Sequence, residues 1–212
     1  MILPSMSDKE VAKHIASEVG KYEKRIDAKA KDVAKQMLKA SRKAYAYQQK
    51  VGSNTLLTIY IYGIDKKGID YAVGCWYQSS DGLVWVTKGA TGVNFFTAHF
   101  FKRYAQRHLG KTLTVLETAL EFYTDFQISA SQLTVQLHNG FFETQLPLHG
   151  GLALGVCDVE NQYSLYRTFV SKSDLFQDQV DDIEADSGLN RAIQRLDSLQ
   201  YKLIIEALVL NR

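Results

Sequence analysis

Three side chains that can move protons or hold anions recur at one spacing near the middle of the sequence. They are His99, Arg103 and Arg107, each four residues after the last, with Lys102 and Gln106 beside them. Residues four apart are neighbours on a helix, and like charges so placed repel by roughly a few tenths of a kcal/mol per pair. A helix keeps such a ladder when anions offset it: carboxylates of the same chain, or phosphates of a partner. Two guanidiniums one turn apart can hold a phosphate in bidentate fashion. A histidine near a helix N-terminus has its neutral form favoured by the dipole, which suits a proton acceptor. Other chemical patterns are absent. The sequence has no His-Glu-x-x-His, no paired-cysteine metal pattern, no complete Gly-x-x-x-x-Gly-Lys-Ser/Thr phosphate-binding loop (Ala105 stands where Gly110-Lys111-Thr112 would need the first glycine) and no Gly-x-Ser-x-Gly elbow, so neither metal nor cofactor is expected. His14 and His138 lie in no such pattern and read as structural or surface residues. His108 is expected on the core side of the central helix, and His149-Gly150-Gly151 after Pro147 reads as a turn.

The elements that must position the ladder follow from periodicity. Thr97 can cap a helix whose apolar side is Phe100, Phe101, Tyr104, Ala105 and Leu109. Thr114 and Glu117 have capping-box spacing for a second helix, with Leu116, Leu120, Tyr123 and Phe126 on one face. Glu117 and Glu121 lie on its polar side and are the internal anions available to the ladder. Before the central helix a meander is expected: Thr55–Tyr62, a turn at 65–68, Ile69–Tyr77, a turn at 79–82 and Leu83–Thr87. After the second helix the spacing predicts strands at Leu133–Leu137, Phe141–Leu146, Leu152–Val156 and Tyr163–Val170, with Asn139-Gly140 as a hairpin turn.

At the N-terminus, Ser7 and Glu10 form a second capping-box pattern. Val11, Ile15, Val19, Tyr22, Ile26, Val33 and Met37 then recur at helical spacing, predicting a helix to about Gln48 with a break at Gly20. An acidic stretch at 174–187 reads as a loop or frayed helix. Leu189, Ile193, Leu196, Leu203, Ala207 and Leu210 mark a closing helix. The expected fold is α+β: an antiparallel sheet of six to seven strands with two central helices, flanked by helices at both ends. Three segments result: a basic helical segment at 1–50, an α+β core at 54–175, and a C-terminal helix at 187–212 that packs on the first segment or the core.

The 212 residues carry a formal net charge of +2, but unevenly. Residues 1–50 hold twelve Lys/Arg against six Asp/Glu, and the rest hold thirteen against seventeen. A basic arm on an acidic body fits nucleic-acid contact, or an arm docked on its own body. No membrane-spanning run and no secretory signal is read, and the two cysteines, Cys75 and Cys157, lie in strand-like runs. A cytoplasmic location with reduced thiols is the expectation. The apolar stripes of the terminal helices leave room for a protein partner or a second copy.

A helix reading His-x-x-x-Arg-x-x-x-Arg, then a second helix, then a small antiparallel sheet ending near a Thr resembles the RelE/BrnT-type toxin ribonucleases, within the superfamily that includes barnase and the tRNA-cleaving colicins. The segment concerned is about residues 97–172, and the matching positions are His99, Arg103, Arg107 and Thr168 in Arg167-Thr-Phe-Val-Ser171. The chain is about twice the length of those toxins and adds the meander and both terminal segments. The resemblance implies metal-independent RNA cleavage with His99, Arg103, Arg107 and Thr168 as catalytic residues. Lys102 and Arg167 would bind RNA alongside them, and Tyr104 and Tyr166 would be platforms for base stacking. Such cleavage needs a base for the 2′-OH, an acid for the leaving 5′-oxygen, and positive charge for the phosphorane. The alternative is a non-catalytic interaction module whose Arg ladder is a structural ion-pair network.

Overall fold

The computed structural model describes residues 2–3, 5–40, 44–50, 55–64, 69–89, 92–125, 132–137 and 140–175, with side chains at all of these except 18–25, 63–64 and 132–135. The expected closing helix at 187–212, and the acidic stretch beyond Leu175, lie outside the described residues. So does Phe126 of the second helix.

Helix α1 (Asp8–Lys39) opens on the predicted capping box. Ser7 Oγ accepts from the Glu10 amide, and Glu10 accepts from the Ser7 amide at 2.8 Å. It runs 32 residues without a break at Gly20, about 48 Å of helix at 1.5 Å per residue. It ends nine residues short of Gln48. The next element is a strand, β1 (Tyr45–Lys50), paired antiparallel with β2 (Thr55–Ile64). The meander continues through β3 (Ile69–Ser79) and β4 (Gly82–Lys88) to a short fifth strand, β5 (Val93–Thr97). Helices α2 (Ala98–Tyr104) and α3 (Val115–Asp125) come next, and then β6 (Gln132–Gln136), β7 (Phe141–Leu148), β8 (Gly151–Asp158) and β9 (Tyr163–Ser171).

These strands make one sheet in the order β1-β2-β3-β4-β5-β9-β8-β7-β6. The expectation of an antiparallel sheet of six to seven strands is corrected here. The chain is α+β, but the sheet has nine strands among the described residues and is mixed, because β5 runs parallel to β9 from Val93–Tyr163 to Phe96–Tyr166. The two strands missed, β1 and β5, lack the signals that mark the others. Tyr45-Ala-Tyr-Gln-Gln-Lys continues a basic helical stretch, and Val93–Thr97 is five residues between a glycine and a helix cap.

Alternation along each strand sends successive side chains to opposite faces, and each face is covered by helix. On one, α1 lays Val11, Ala12 and Ile15 against Val84, Val86, Phe95 and Tyr163. Its later turns lay Ile26, Val33 and Met37 against Ile59 and Ile61. Most of the predicted apolar stripe of α1 therefore buries on the chain's own sheet. Lys29 sits 4.3 Å over the Tyr47 ring, and Tyr71 donates to Asp27, which fixes the far end of the helix. No helix among the described residues is long and apolar enough to cross a membrane.

The other face carries an aromatic core. Trp76, Trp85, Phe96, Tyr166 and Phe169 of the sheet meet Phe100, Phe101, Tyr104, Phe122 and Tyr123 of α2 and α3. Each such ring contributes roughly 1.5–3 kcal/mol of burial. Their polar atoms are paired: Trp76 Nε1 donates to Tyr60 Oη at 2.8 Å, and Trp85 Nε1 to Tyr123 Oη at 2.7 Å. Thr58 is the exception. It is fully buried, and its hydroxyl has no hydrogen-bond partner among the described residues.

This packing has two measurable consequences. An unpaired buried hydroxyl costs about 1–3 kcal/mol, so Thr58→Val, nearly the same shape, raises stability by about 1 kcal/mol in urea denaturation. Burial also pushes the Cys75 thiol up to about 11. The native state then keeps a proton that the unfolded chain loses near pH ~8.5, so stability is full below that value and declines as pH rises toward the native value. Urea midpoints at about pH 8.5 and about pH 10 should fall in that order, and Cys75→Val should reduce the drop.

Candidate functional site

Thr97 starts α2 and ties it to the sheet. Its hydroxyl accepts from the Phe100 amide at 3.2 Å and donates to the Arg167 carbonyl at 3.1 Å. From this cap, His99, Lys102 and Arg103 take the side of α2 away from Phe100, Phe101 and Tyr104. His99 and Lys102 are exposed and Arg103 is half-buried. None of the three forms a hydrogen bond or ion pair with a described residue.

The helix then changes pitch. Residues Ala105–Leu109 form a π-helical turn, closed by the Gly110 amide on the Ala105 carbonyl, with Gly110 at φ 61 as the left-handed stop. A ladder spaced for an α-helix loses its alignment there. Arg107 leaves the line of His99 and Arg103 and reaches β9, where Nη1 donates to the Phe169 carbonyl at 3.0 Å and lies 3.9 Å from Asp174. Asp174 also accepts from Ser171 Oγ at 2.7 Å, in the 3-10 turn Lys172–Asp174 that follows β9.

Neither carboxylate expected to neutralise the ladder does so. Glu117 caps α3, accepting from the Thr114 hydroxyl at 2.7 Å and amide at 2.9 Å, and these bonds hold its carboxyl below the usual range. Glu121 lies 3.9 Å from Lys111.

The residues expected on β9 do not join the helix. A β-bulge sets Leu154 opposite Thr168 and Gly155 opposite Tyr166, leaving Arg167 as the extra residue. Tyr166 and Phe169 consequently both face the aromatic core, and Thr168 shares the α1 side of the sheet with Leu154. Arg167 is exposed, and its charge acts on Asp8 at the start of α1. Burial pushes the Asp8 carboxyl up, and Arg167 opposes that push. His99, Arg103 and Arg107 thus lie on one side of the sheet, and Thr168 on the other.

The two expected stacking platforms are interior. Tyr166 stacks on Phe96 with ring centroids 5.0 Å apart, and Tyr104 packs against Phe122 and Phe169, so neither offers a face to a base. Tyr104 spends its hydroxyl inside as well, donating to Asp125 Oδ2 at 3.0 Å. Burial and that carboxylate hold the phenol protonated well above its ordinary range.

A group that the spacing of His99, Arg103 and Arg107 gives no hint of gathers around Asp125, the last residue of α3. Its Oδ2 also lies 2.6 Å from Nε2 of His108, in the π-helical turn. A carboxylate only accepts, so Nε2 carries the hydrogen and Nδ1 of the neutral ring holds the lone pair. His108 packs beside Tyr104 and Phe169, on the core side as expected, and its ring centroid is 6.3 Å from that of exposed His149 in the β7–β8 turn. A Cβ at Gly150 would fall on the imidazole over Nδ1, about equally far from Cε1 and Cγ. It would therefore land on the ring face, and the in-plane lone pair of Nδ1 points elsewhere. The expected turn at Pro147–Gly151 is present, and close approach to His108 is what requires its glycine. The one sequence signal for this group is the coincidence of a histidine after the ladder, a turn histidine and a Gly-Gly pair. Among the described residues no cluster of His, Cys, Asp and Glu could hold a metal ion.

Fold and site define a mixed-sheet α+β protein with helices on both faces and two polar regions, one cationic and one built on histidines. Compared with known proteins, the chain matches no family model, no curated protein and no solved structure.

Gly150→Ala is expected to push the His108 ring off Asp125. Stability should fall by roughly 1–3 kcal/mol, as for other overpacked sites, and the His108 ring resonances should move in an NMR spectrum while those of His14 stay in place.

Proposed function

We propose that the protein binds the phosphate backbone of RNA along the solvent side of α2, through His99, Lys102 and Arg103. The observation that carries this reading is the cationic side of α2, which has no described carboxylate against it, while Glu117 and Glu121 are held by Thr114 and Lys111. A cationic side left without internal anions favours external ones, and phosphate is the anion that guanidinium and ammonium groups bind in nucleic acids. The choice of RNA leans on the resemblance of residues 97–172 to the RelE/BrnT-type ribonucleases, and a cytoplasmic setting goes with it. Cleavage at this surface receives no support from Thr168, which lies across the sheet, or from Tyr104 and Tyr166, which are buried.

Arg107 favours the second reading in part. Its bond to the Phe169 carbonyl joins the end of the central helix to the end of β9, as expected of a structural cation in an interaction module. The contact to Asp174 is long and half-exposed, so it adds little.

The two arginines therefore separate. Arg103→Ala should leave the melting temperature within a degree or two and reduce the salt slope of RNA binding by about one unit. Arg107→Ala should cost about 1 kcal/mol of stability, the worth of one hydrogen bond to a carbonyl. Thermal melts, with RNA titrations at two salt concentrations, measure both. An RNA affinity that Arg103→Ala and Lys102→Ala leave untouched would overturn the binding surface.

A further inference from the structure

We propose that the acidic stretch just beyond β9, residues 178–186, lies along the cationic side of α2 and competes there with phosphate. The proposal rests on the reading of that side as a phosphate-binding surface, and it names what covers the surface when nothing else is bound.

The first observation is where the chain leaves the sheet. Strand β9 ends at Ser171, and the 3-10 turn Lys172–Asp174 carries the chain to the α2 side, where Asp174 lies 3.9 Å from Arg107. Ser171 Oγ donates to Asp174 at 2.7 Å, which fixes that carboxylate at the C-terminal end of the central helix. The contact is weak as an ion pair, but it sets the place from which the chain continues. That place is across the sheet from α1, whose exposed lysines are the other large group of cations.

The second observation is charge. Residues 174–186 hold Asp174, Asp178, Asp181, Asp182, Glu184 and Asp186 and no Lys or Arg. Against them stands a helix side of His99, Lys102 and Arg103 with no described carboxylate on it. The reach is ample. At 1.5 Å per residue, His99 lies about 12 Å along the helix from Arg107. The twelve residues from Asp174 to Asp186 span up to about 40 Å when extended. Each exposed ion pair is weak, but a tethered segment meets the helix at an effective concentration of about millimolar order. Several weak pairs on one tether hold the stretch against α2, and the phosphates of an incoming strand must displace it. Because these groups are exposed, the contact changes affinity for phosphate more than it changes stability.

Carbodiimide coupling of the full chain, read by peptide mass spectrometry, tests the contact without RNA. Lys102 should couple to carboxylates of residues 178–186 at low salt. The yield should collapse at about 1 M salt, where the screening length is about 3 Å. Coupling of that stretch to the lysines of α1 in place of Lys102, or to no lysine, would overturn the proposal. Competition is measured with end-labelled RNA of mixed sequence. Replacing Asp178, Asp181 and Asp182 with Asn and Glu184 with Gln should raise RNA affinity about tenfold. Removing four negative charges favours any polyanion, so a control neutralises four exposed carboxylates away from α2: Asp32, Asp70, Glu143 and Glu160. Equal gains in the two variants would overturn the competition. Lys102 coupling in a protein whose parent and variants bind no RNA would remove the RNA reading and leave the docked stretch. RNA binding that falls in Lys102→Ala, with no Lys102 coupling in the parent, would do the reverse.

Discussion

The stack of Phe96 on Tyr166 holds together what would otherwise be two separate sheets. These rings belong to facing residues of β5 and β9, which among the described strands are the one parallel pair in an otherwise antiparallel arrangement. On one side lie β1 to β4, and on the other lie β8, β7 and β6. Four residue pairs make the junction, and both layers of helix depend on it. The N-terminal part of α1 crosses it on one face, where Val11 and Ile15 share a cluster with Phe95 and Tyr163. Helix α2 sits over it on the other, where Phe100 meets Phe96 and Phe169.

The bulge at Arg167 sits one residue beyond that junction and decides which β9 residues can meet the helices. A regular strand would send Thr168 to the same side as Tyr166 and Phe169 to the far side. The extra residue reverses this, and the aromatic core gains a ring that supports both Tyr104 and His108. One insertion therefore removes Thr168 from the helix side and builds the wall behind the histidine.

Much of the fold was legible because most strands of this sheet alternate and the first and third helices carry capping boxes. Leu57, Ile59 and Ile61 between Thr58, Tyr60 and Tyr62 is a pattern that only a strand satisfies, and Ser7 with Glu10 marks a helix start in four residues. The parallel pairing was not legible, because nothing near Val93 or Tyr163 signals a partner seventy residues away. Strand β5 was hidden for the same reason: its partner on one side is distant. The α2 cations could be read from spacing as far as Arg103. Beyond it the π-helical turn altered the pitch, and no local residue pattern announces that change. Asp125 and His108 lie on different elements and meet only once the aromatic core has packed, so their pairing is a product of tertiary structure.

Strand order also sets a sequence of events during synthesis. Helix α1 and strands β1 to β5 are complete by residue 97, and all their pairings are between neighbours in the chain. This half can assemble on the ribosome before β9 has emerged. Until then β5 is an open edge carrying Phe95 and Phe96, with free backbone donors and acceptors in a row, the kind of edge that recruits stray strands. Closing it requires a contact of long sequence separation, which is the slow class of folding event. A nascent chain stalled between residues 97 and 163 would present that edge for as long as the stall lasts.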